Sequence, residues 1–207
     1  MGLTNYYQIK ELTNLRLLFD RDGKFLFFHN TKVLTRSIAR NALKNRIICY
    51  KHKPILHAEK MEECTLKVLN RLFKFSFVRN PWDRTVSAYF YLSQEHPELL
   101  PREYFSFKEF IKTDFKKRGT MINDHFQHQY QKTYNDGHQI VDFIGRFENV
   151  EEDWKYVASK IDAESVLPHI GASVHDDYRI YYDDESIEIV RNIYKKDIDL
   201  FGYEFKK

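Results

Sequence analysis

FKFSFVRNPWDRTVSAYFYL, residues 73–92, is the stretch whose reading decides the fold. Leu72 to Val78 is an apolar run of strand length, and Trp82 to Ser93 carries its apolar residues at helical spacing. At the junction Asn80 suits a helix cap, Pro81 the first helical position, and Asp83 the positive end of the helix dipole. Helix initiation accounts for those three residues but not for Arg79 and Arg84. Arg79 closes an apolar strand, where a cation costs free energy unless it meets an anion. Ser87 lies one turn beyond Asp83 and Arg84, so hydroxyl and guanidinium can converge. An arginine fork suits phosphate oxygens. An internal ion pair, Arg79 with Glu148, is the competing account.

The same alternation runs outward through the chain. Lys24 to His29, Arg46 to Tyr50 and Asp142 to Phe147 read as further strands. Thr35 to Lys44, Glu59 to Asn70, Glu152 to Lys160 and Glu185 to Asp197 read as helices. Alternating strands and helices predict an α/β fold with a parallel sheet covered on both faces. Ligands in such sheets sit at the carboxyl ends of the strands. The segments HNTKVLTRS, KHKPILH and RNPWDR stand there. Gln94 to His138, rich in aromatic and basic residues, reads as an insertion facing a substrate. At 207 residues the chain is expected to form a single domain.

Composition narrows the classes. With 43% hydrophobic and 16% aromatic residues, the chain is not a disordered one. No apolar run approaches the roughly 20 residues that span a bilayer, and the first residues lack a signal-peptide pattern. Cys49 and Cys64 fit neither a metal spacing nor a disulfide framework, so a reducing, cytoplasmic setting is the expectation. A formal charge of +3 neither demands nor excludes an anionic partner. No basic stripe interleaves with stacking aromatics, so no nucleic-acid partner is expected.

In HNTKVLTRSI, residues 29–38, a strand-loop-helix turn exposes backbone N–H groups to an anion. Lys32 adds a charge, and Thr35, Arg36 and Ser37 add donors. The glycines of the GxxxxGKS/T phosphate loop are missing. The competing account is a solvated loop lysine with Thr35 as an N-cap.

FKFSFVRNPWDRTVSAY resembles the 3′-phosphate-binding signature of sulfotransferases, specifically the Golgi-type carbohydrate (family 2) sulfotransferases and their bacterial relatives. HNTKVLTRSI is similar to the family's 5′-phosphosulfate loop. NDHFQHQY (Asn123 to Tyr130), VDFIGRFENVEEDW (Val141 to Trp154) and the tail segments YRIYYDDE and DIDLFGYEF resemble later family blocks in order, from Phe25 to Phe205. The resemblance implies a P-loop-NTPase-like three-layer fold with a central parallel sheet flanked by helices. It implies 3′-phosphoadenosine 5′-phosphosulfate (PAPS) as donor, no metal, and a glycan acceptor. It assigns Arg79 and Ser87 to the 3′-phosphate, and Lys32, Thr35, Arg36 and Ser37 to the phosphosulfate. His57 falls near the family's catalytic histidine. His52, His125, His128 and, more remotely, Glu148 compete for the role of base.

Two departures stand out: Asn30-Thr31 replaces the family's proline, and Val33-Leu34 replaces its glycines. Two other functions stay open at this point, a non-catalytic module binding adenosine 3′,5′-bisphosphate or a sulfated ligand, and a nucleotide kinase. His125-x-x-His128 with Asp124 is a weak metal pattern, and Lys112 to Arg118 is either a solvated basic loop or a surface for an acidic acceptor. Animal relatives sit in the Golgi lumen behind an anchor, the alternative location to the cytoplasm.

Overall fold

The computed structural model describes residues 17–44, 46–49, 71–167 and 175–206. A five-stranded sheet has the order β3-β1-β2-β4-β7, built from β1 (Leu17–Asp20), β2 (Phe25–Phe28), β3 (Ile47–Cys49), β4 (Phe73–Val78) and β7 (Phe143–Arg146). β2, β4 and β7 run parallel and form the centre of the fold, with Phe28 opposite Ser76 and Phe77 opposite Gly145. β1 was not anticipated, and it pairs antiparallel with both β2 and β3. The expected strand near residues 46–50 therefore sits at the sheet edge, two places from the parallel centre. β5 (Tyr134–Asn135) and β6 (His138–Gln139) form a separate small hairpin.

The helices are α1 (Thr35–Ser37), α2 (Pro81–Glu95), α3 (Phe107–Phe110), α4 (Lys116–Arg118), α5 (Val150–Ile161), α6 (Asp184–Ile193) and α7 (Lys195–Phe201). The expected helix over 35–44 is only partly α-helical, since its second part, Ile38–Ala42, is wound as a π-helix. The helix expected over 59–70 lies outside the described residues. The single last helix expected over 185–197 breaks at Tyr194, which is buried and donates its hydroxyl to the Phe126 carbonyl at 2.7 Å. No helix among the described residues is long and apolar enough to cross a membrane.

Period-two alternation distributes the core. Phe25, Phe27, Phe75 and Phe77 point to one face of the sheet, against Val33, Ile38 and the α5 residues Trp154, Val157 and Ile161. Leu26 and Phe28 point to the other face. A larger cluster joins Val78 and α2 to α3, α6 and α7. The fold is thus three-layered, with helices on both faces of the sheet. Phe107, Phe110, Ile111, Phe115 and Phe126 all belong to that cluster, so the segment read as an insertion also builds core. Gly145 is required where it stands: a Cβ there would fall 2.4 Å from the Phe77 ring.

Candidate active site

β2 and β4 are parallel neighbours, so the segments that leave their carboxyl ends emerge side by side. Asn30 ties the two together, with its buried amide donating to the Phe77 carbonyl at 3.0 Å. The loop that follows holds Lys32 at φ 60° and Leu34 at φ 55°, the left-handed region that glycine occupies at least cost. The backbone keeps a glycine-type path although Val33-Leu34 has replaced the glycines. Leu34, not Thr35, occupies the position before the helix, and Thr35 donates its hydroxyl back to the Asn30 carbonyl at 3.0 Å. The expected capping role of Thr35 is corrected: it closes the loop instead.

α2 begins as its sequence requires. The Asn80 side chain accepts from the Trp82 N–H at 3.0 Å, Pro81 follows, and Asp83 lies in the first turn. Asp83 has a second duty, because it accepts from Nε and Nη2 of Arg79, both at 2.8 Å. The ion-pair account of Arg79 is therefore the observed one, with Asp83 in place of Glu148 as the partner. Nη1 of Arg79 donates to the Lys32 carbonyl at 3.2 Å, and the guanidinium lies 4.0 Å over the Phe147 ring. A guanidinium has five N–H donors, and these bonds engage three, leaving two on the terminal nitrogens. Glu148 is committed elsewhere, to the Asn80 N–H at 2.6 Å and the Tyr203 hydroxyl at 3.0 Å, and so holds the β4–α2 junction.

Lys32 does not point into open water. Its ammonium sits 4.0 Å over the Tyr91 ring. Burial, followed by the positive charges of Arg36 and Arg79, pulls its pKa down from 10.5 to about 8, with Glu95 partly opposing. Arg36 lies 5.2 Å over the same ring and pairs with Glu95 at 3.5 Å. Asp83, Ser87, Tyr91 and Glu95 recur every four residues and form one stripe along α2. Asp83 holds Arg79, Tyr91 faces Lys32, and Glu95 holds Arg36. Ser87, buried on that stripe, falls between the two ends. Ser37 is also buried, just past Arg36.

Arg84 belongs to a different network. It is 1% exposed, donates to the carbonyls of His125 at 3.3 Å and Gln127 at 2.6 Å, and covers Tyr194. The expected convergence of Arg84 with Ser87 is corrected: Arg84 anchors residues 125–127. Gln129 completes the anchor, because its amide accepts from the Arg79 N–H and donates to the Arg79 carbonyl, each at 2.8 Å. It supplies the backbone pairing that the end of β4 lacks. Asp197, 0% exposed, accepts from the N–H groups of Gln129 at 2.9 Å and Tyr130 at 2.8 Å. Burial pushes the Asp197 carboxyl up, opposed by Arg84 and those two bonds.

This network brings His125 to the loop. Its ring is 5.2 Å from Tyr91, and Thr31 donates to its carbonyl at 3.4 Å. Asn123 Oδ1 accepts the His125 N–H at 3.0 Å and lies 2.7 Å from the ring Nδ1. An oxygen that already accepts a backbone N–H makes Nδ1 the donor of that contact, so in the neutral ring the lone pair is on Nε2. His128 faces Asp197 instead, at 3.9 Å, and its burial lowers its pKa. The His125/His128 metal pattern therefore separates into two environments. Among the described residues no three His, Cys, Asp or Glu side chains gather as metal ligands. His57 and His52 lie outside the described residues. In the basic stretch Lys112 to Arg118, Lys112 pairs with Asp183 at 2.8 Å and Glu185 at 2.9 Å, so that part docks α6.

Sequence reasoning missed Gln129, Asp197, Tyr91 and Glu95. The first two act across 50 to 68 residues of chain, which no local pattern reveals. The other two were visible as the four-residue stripe continuing from Asp83.

A three-layer α/β fold here sets a cationic loop and an arginine at the carboxyl ends of adjacent parallel strands, an arrangement suited to an anion. The model of the sulfotransferase family matches residues 12–204, and the chain belongs to that family, whose members transfer sulfuryl groups. An uncharacterised protein of Archaeoglobus fulgidus is 34% identical over 115 residues, covering 55% of this chain and 88% of the relative. No solved structure matches.

Proposed function

We propose that the chain transfers a sulfuryl group from PAPS to a hydroxyl or amine of an acceptor, with carbohydrate as the acceptor class. The observation that supports this is the gathering of Lys32, Arg36 and Arg79 beyond the carboxyl ends of β2 and β4: Arg79 donates to the Lys32 carbonyl at 3.2 Å, and Lys32 and Arg36 share the Tyr91 ring. Asp83 and Glu95 offset two of these charges, and the positive balance that remains beside the partly buried Lys32 is favourable around an anion. In this reading Arg79, through its two remaining N–H groups, and Ser87 hold the 3′-phosphate. Lys32, Thr35, Arg36 and Ser37 serve the phosphosulfate. The transfer forms a bond from the acceptor oxygen or nitrogen to sulfur and breaks the bond from sulfur to the 5′-phosphate oxygen. Lys32 stabilises the charge left on that oxygen. The acceptor proton goes to a histidine: His125, through Nε2, or His57.

A second reading is supported by the Arg79–Asp83 pair. Asp83 already neutralises the strand-end arginine, as suits a module that binds adenosine 3′,5′-bisphosphate weakly and without turnover. Thermal-shift titrations with adenosine 3′,5′-bisphosphate, ADP and Mg-ATP test the clamp. The bisphosphate is expected to stabilise most and Arg79→Ala to abolish its effect. Equal stabilisation by ADP counts against the clamp. Transfer of labelled sulfate from PAPS to a panel of glycans and simple alcohols separates enzyme from binder.

A further inference from the structure

Tyr91 lies at the centre of the loop-facing stripe of α2. The Lys32 ammonium is 4.0 Å from its ring centroid, the Arg36 guanidinium 5.2 Å, and the His125 ring 5.2 Å. We propose that Tyr91 is a positioning residue for sulfuryl transfer: its ring face seats the Lys32 ammonium at a fixed place above α2, beside His125. The inference rests on the reading that Lys32 meets the sulfate-bearing end of the donor.

The need for a seat follows from the charges around Lys32. Arg36 from its own loop and Arg79 from the end of β4 both repel it, and Asp83 screens Arg79. Glu95 attracts it from α2 but is itself drawn to Arg36 at 3.5 Å. His125 contacts the same Tyr91 ring, 5.2 Å between ring centroids. A flexible lysine stem among like charges would turn outward to water. An aromatic face attracts an ammonium through its quadrupole without contributing a net charge, so it holds Lys32 without competing for the donor's phosphate as a carboxylate would. The left-handed backbone at Lys32 sets where the stem starts, and Tyr91 sets where it ends.

The test compares Tyr91→Phe with Tyr91→Leu in the full chain. Calorimetric affinity for adenosine 3′,5′-bisphosphate is followed from about pH 6.5 to about pH 9.5, a range bracketing the Lys32 value of about 8. Tyr91→Phe keeps the ring and is expected to match the wild type. Tyr91→Leu is expected to weaken binding about 3- to 30-fold, and to move its alkaline limb to lower pH, because the ring favours the charged ammonium. Melting temperatures confirm that both variants fold. A leucine variant with wild-type affinity and an unmoved alkaline limb overturns the inference. Titration of the Lys32 side chain by NMR in the ligand-free protein reads the seat alone: Tyr91→Leu must lower its pKa and Tyr91→Phe must not. If that result holds and the wild type ignores the bisphosphate, the donor reading fails while the seat stands.

Discussion

Replacing Lys32 by Met should stabilise the ligand-free protein while removing its response to adenosine 3′,5′-bisphosphate. The substitution keeps an apolar stem of similar length and deletes the ammonium. Folding depresses the Lys32 pKa from 10.5 to about 8, chiefly by burial, then through Arg36 and Arg79. At about 1.4 kcal/mol per pH unit, the charged lysine costs the fold at most about 3 kcal/mol. Lys32 is half-buried, and solvent screening reduces that to ~1–2 kcal/mol. Loss of the contact with Tyr91 returns ~0.5–1 kcal/mol. The net expectation is a gain of roughly 1 kcal/mol, or about 2–4 °C in Tm for a chain of this size.

The sign has a pH signature. Between about pH 8 and 10.5 the unfolded chain keeps a proton on Lys32 that the folded protein has released, so wild-type stability rises with pH through that window relative to the methionine variant. The advantage of Lys32→Met is full below pH 8 and fades above it. Urea unfolding of both proteins at neutral and alkaline pH measures the gap directly. A variant less stable than wild type at neutral pH, or a gap that widens with rising pH, refutes the reasoning.

Three further substitutions test the frame around the site. Gly145→Ala places a methyl group 2.4 Å from the Phe77 ring and should cost ~1–3 kcal/mol, read as a lower urea midpoint with an unchanged slope. Gln129→Ala removes both side-chain bonds to the Arg79 backbone and strands a buried N–H and C=O; a loss of ~2–4 kcal/mol in denaturant unfolding is expected, with weaker bisphosphate binding. Asp83→Asn breaks a nearly buried two-bond pair and should lower stability by about 2–4 kcal/mol; a thermal melt within a degree of wild type would show that Arg79 does not depend on Asp83.

What could be read from the sequence was what is encoded locally. The passage from β4 into α2 was legible because an apolar run, a cap, a proline and an acidic first turn follow one another in adjacent positions. β7 and α5 were legible from an apolar run followed by an acidic first turn, without a proline. β1 was missed because LLFD offers only four residues, and the edge position of β3 was missed because direction in a sheet is set by partners distant in sequence. In the sequence, helix initiation accounts for Asp83, and its spacing of four to Arg79 stays hidden because Arg79 precedes the helix, where the i,i+4 rule is not ordinarily applied. Arg84 looked like half of an anion clamp because arginine chemistry is the same whether the acceptor is a phosphate or two backbone carbonyls. Only the fold shows that residues 125–127 come within its reach.

The stripe on α2 gives the proposed donor choice a mechanical basis. Asp83 and Tyr91 are eight residues apart, so at 1.5 Å per residue the side chains that meet Arg79 and Lys32 leave α2 about 12 Å apart along its axis. Both anchors belong to one helix whose start is fixed by Asn80, Pro81 and Glu148 and whose side is packed into the main core. The anchors of the two cations are therefore spaced by a helix, and the loop that carries Lys32 is tied to Arg79 directly through the Lys32 carbonyl at 3.2 Å. A ligand with anionic groups at both points gains from each without paying to order the site. A ligand with a single phosphate cluster reaches one point and leaves the other cation facing its neighbours. In the proposed function, discrimination against ADP thus arises as much from the rigidity of α2 as from the chemistry of Arg79. Ala88→Gly, which loosens the middle of α2 by about 1 kcal/mol at a fully buried position next to the stripe, should narrow the difference between bisphosphate and ADP more than it lowers affinity for ADP. Unchanged discrimination in that variant, with the protein folded, would assign selectivity to the side chains alone.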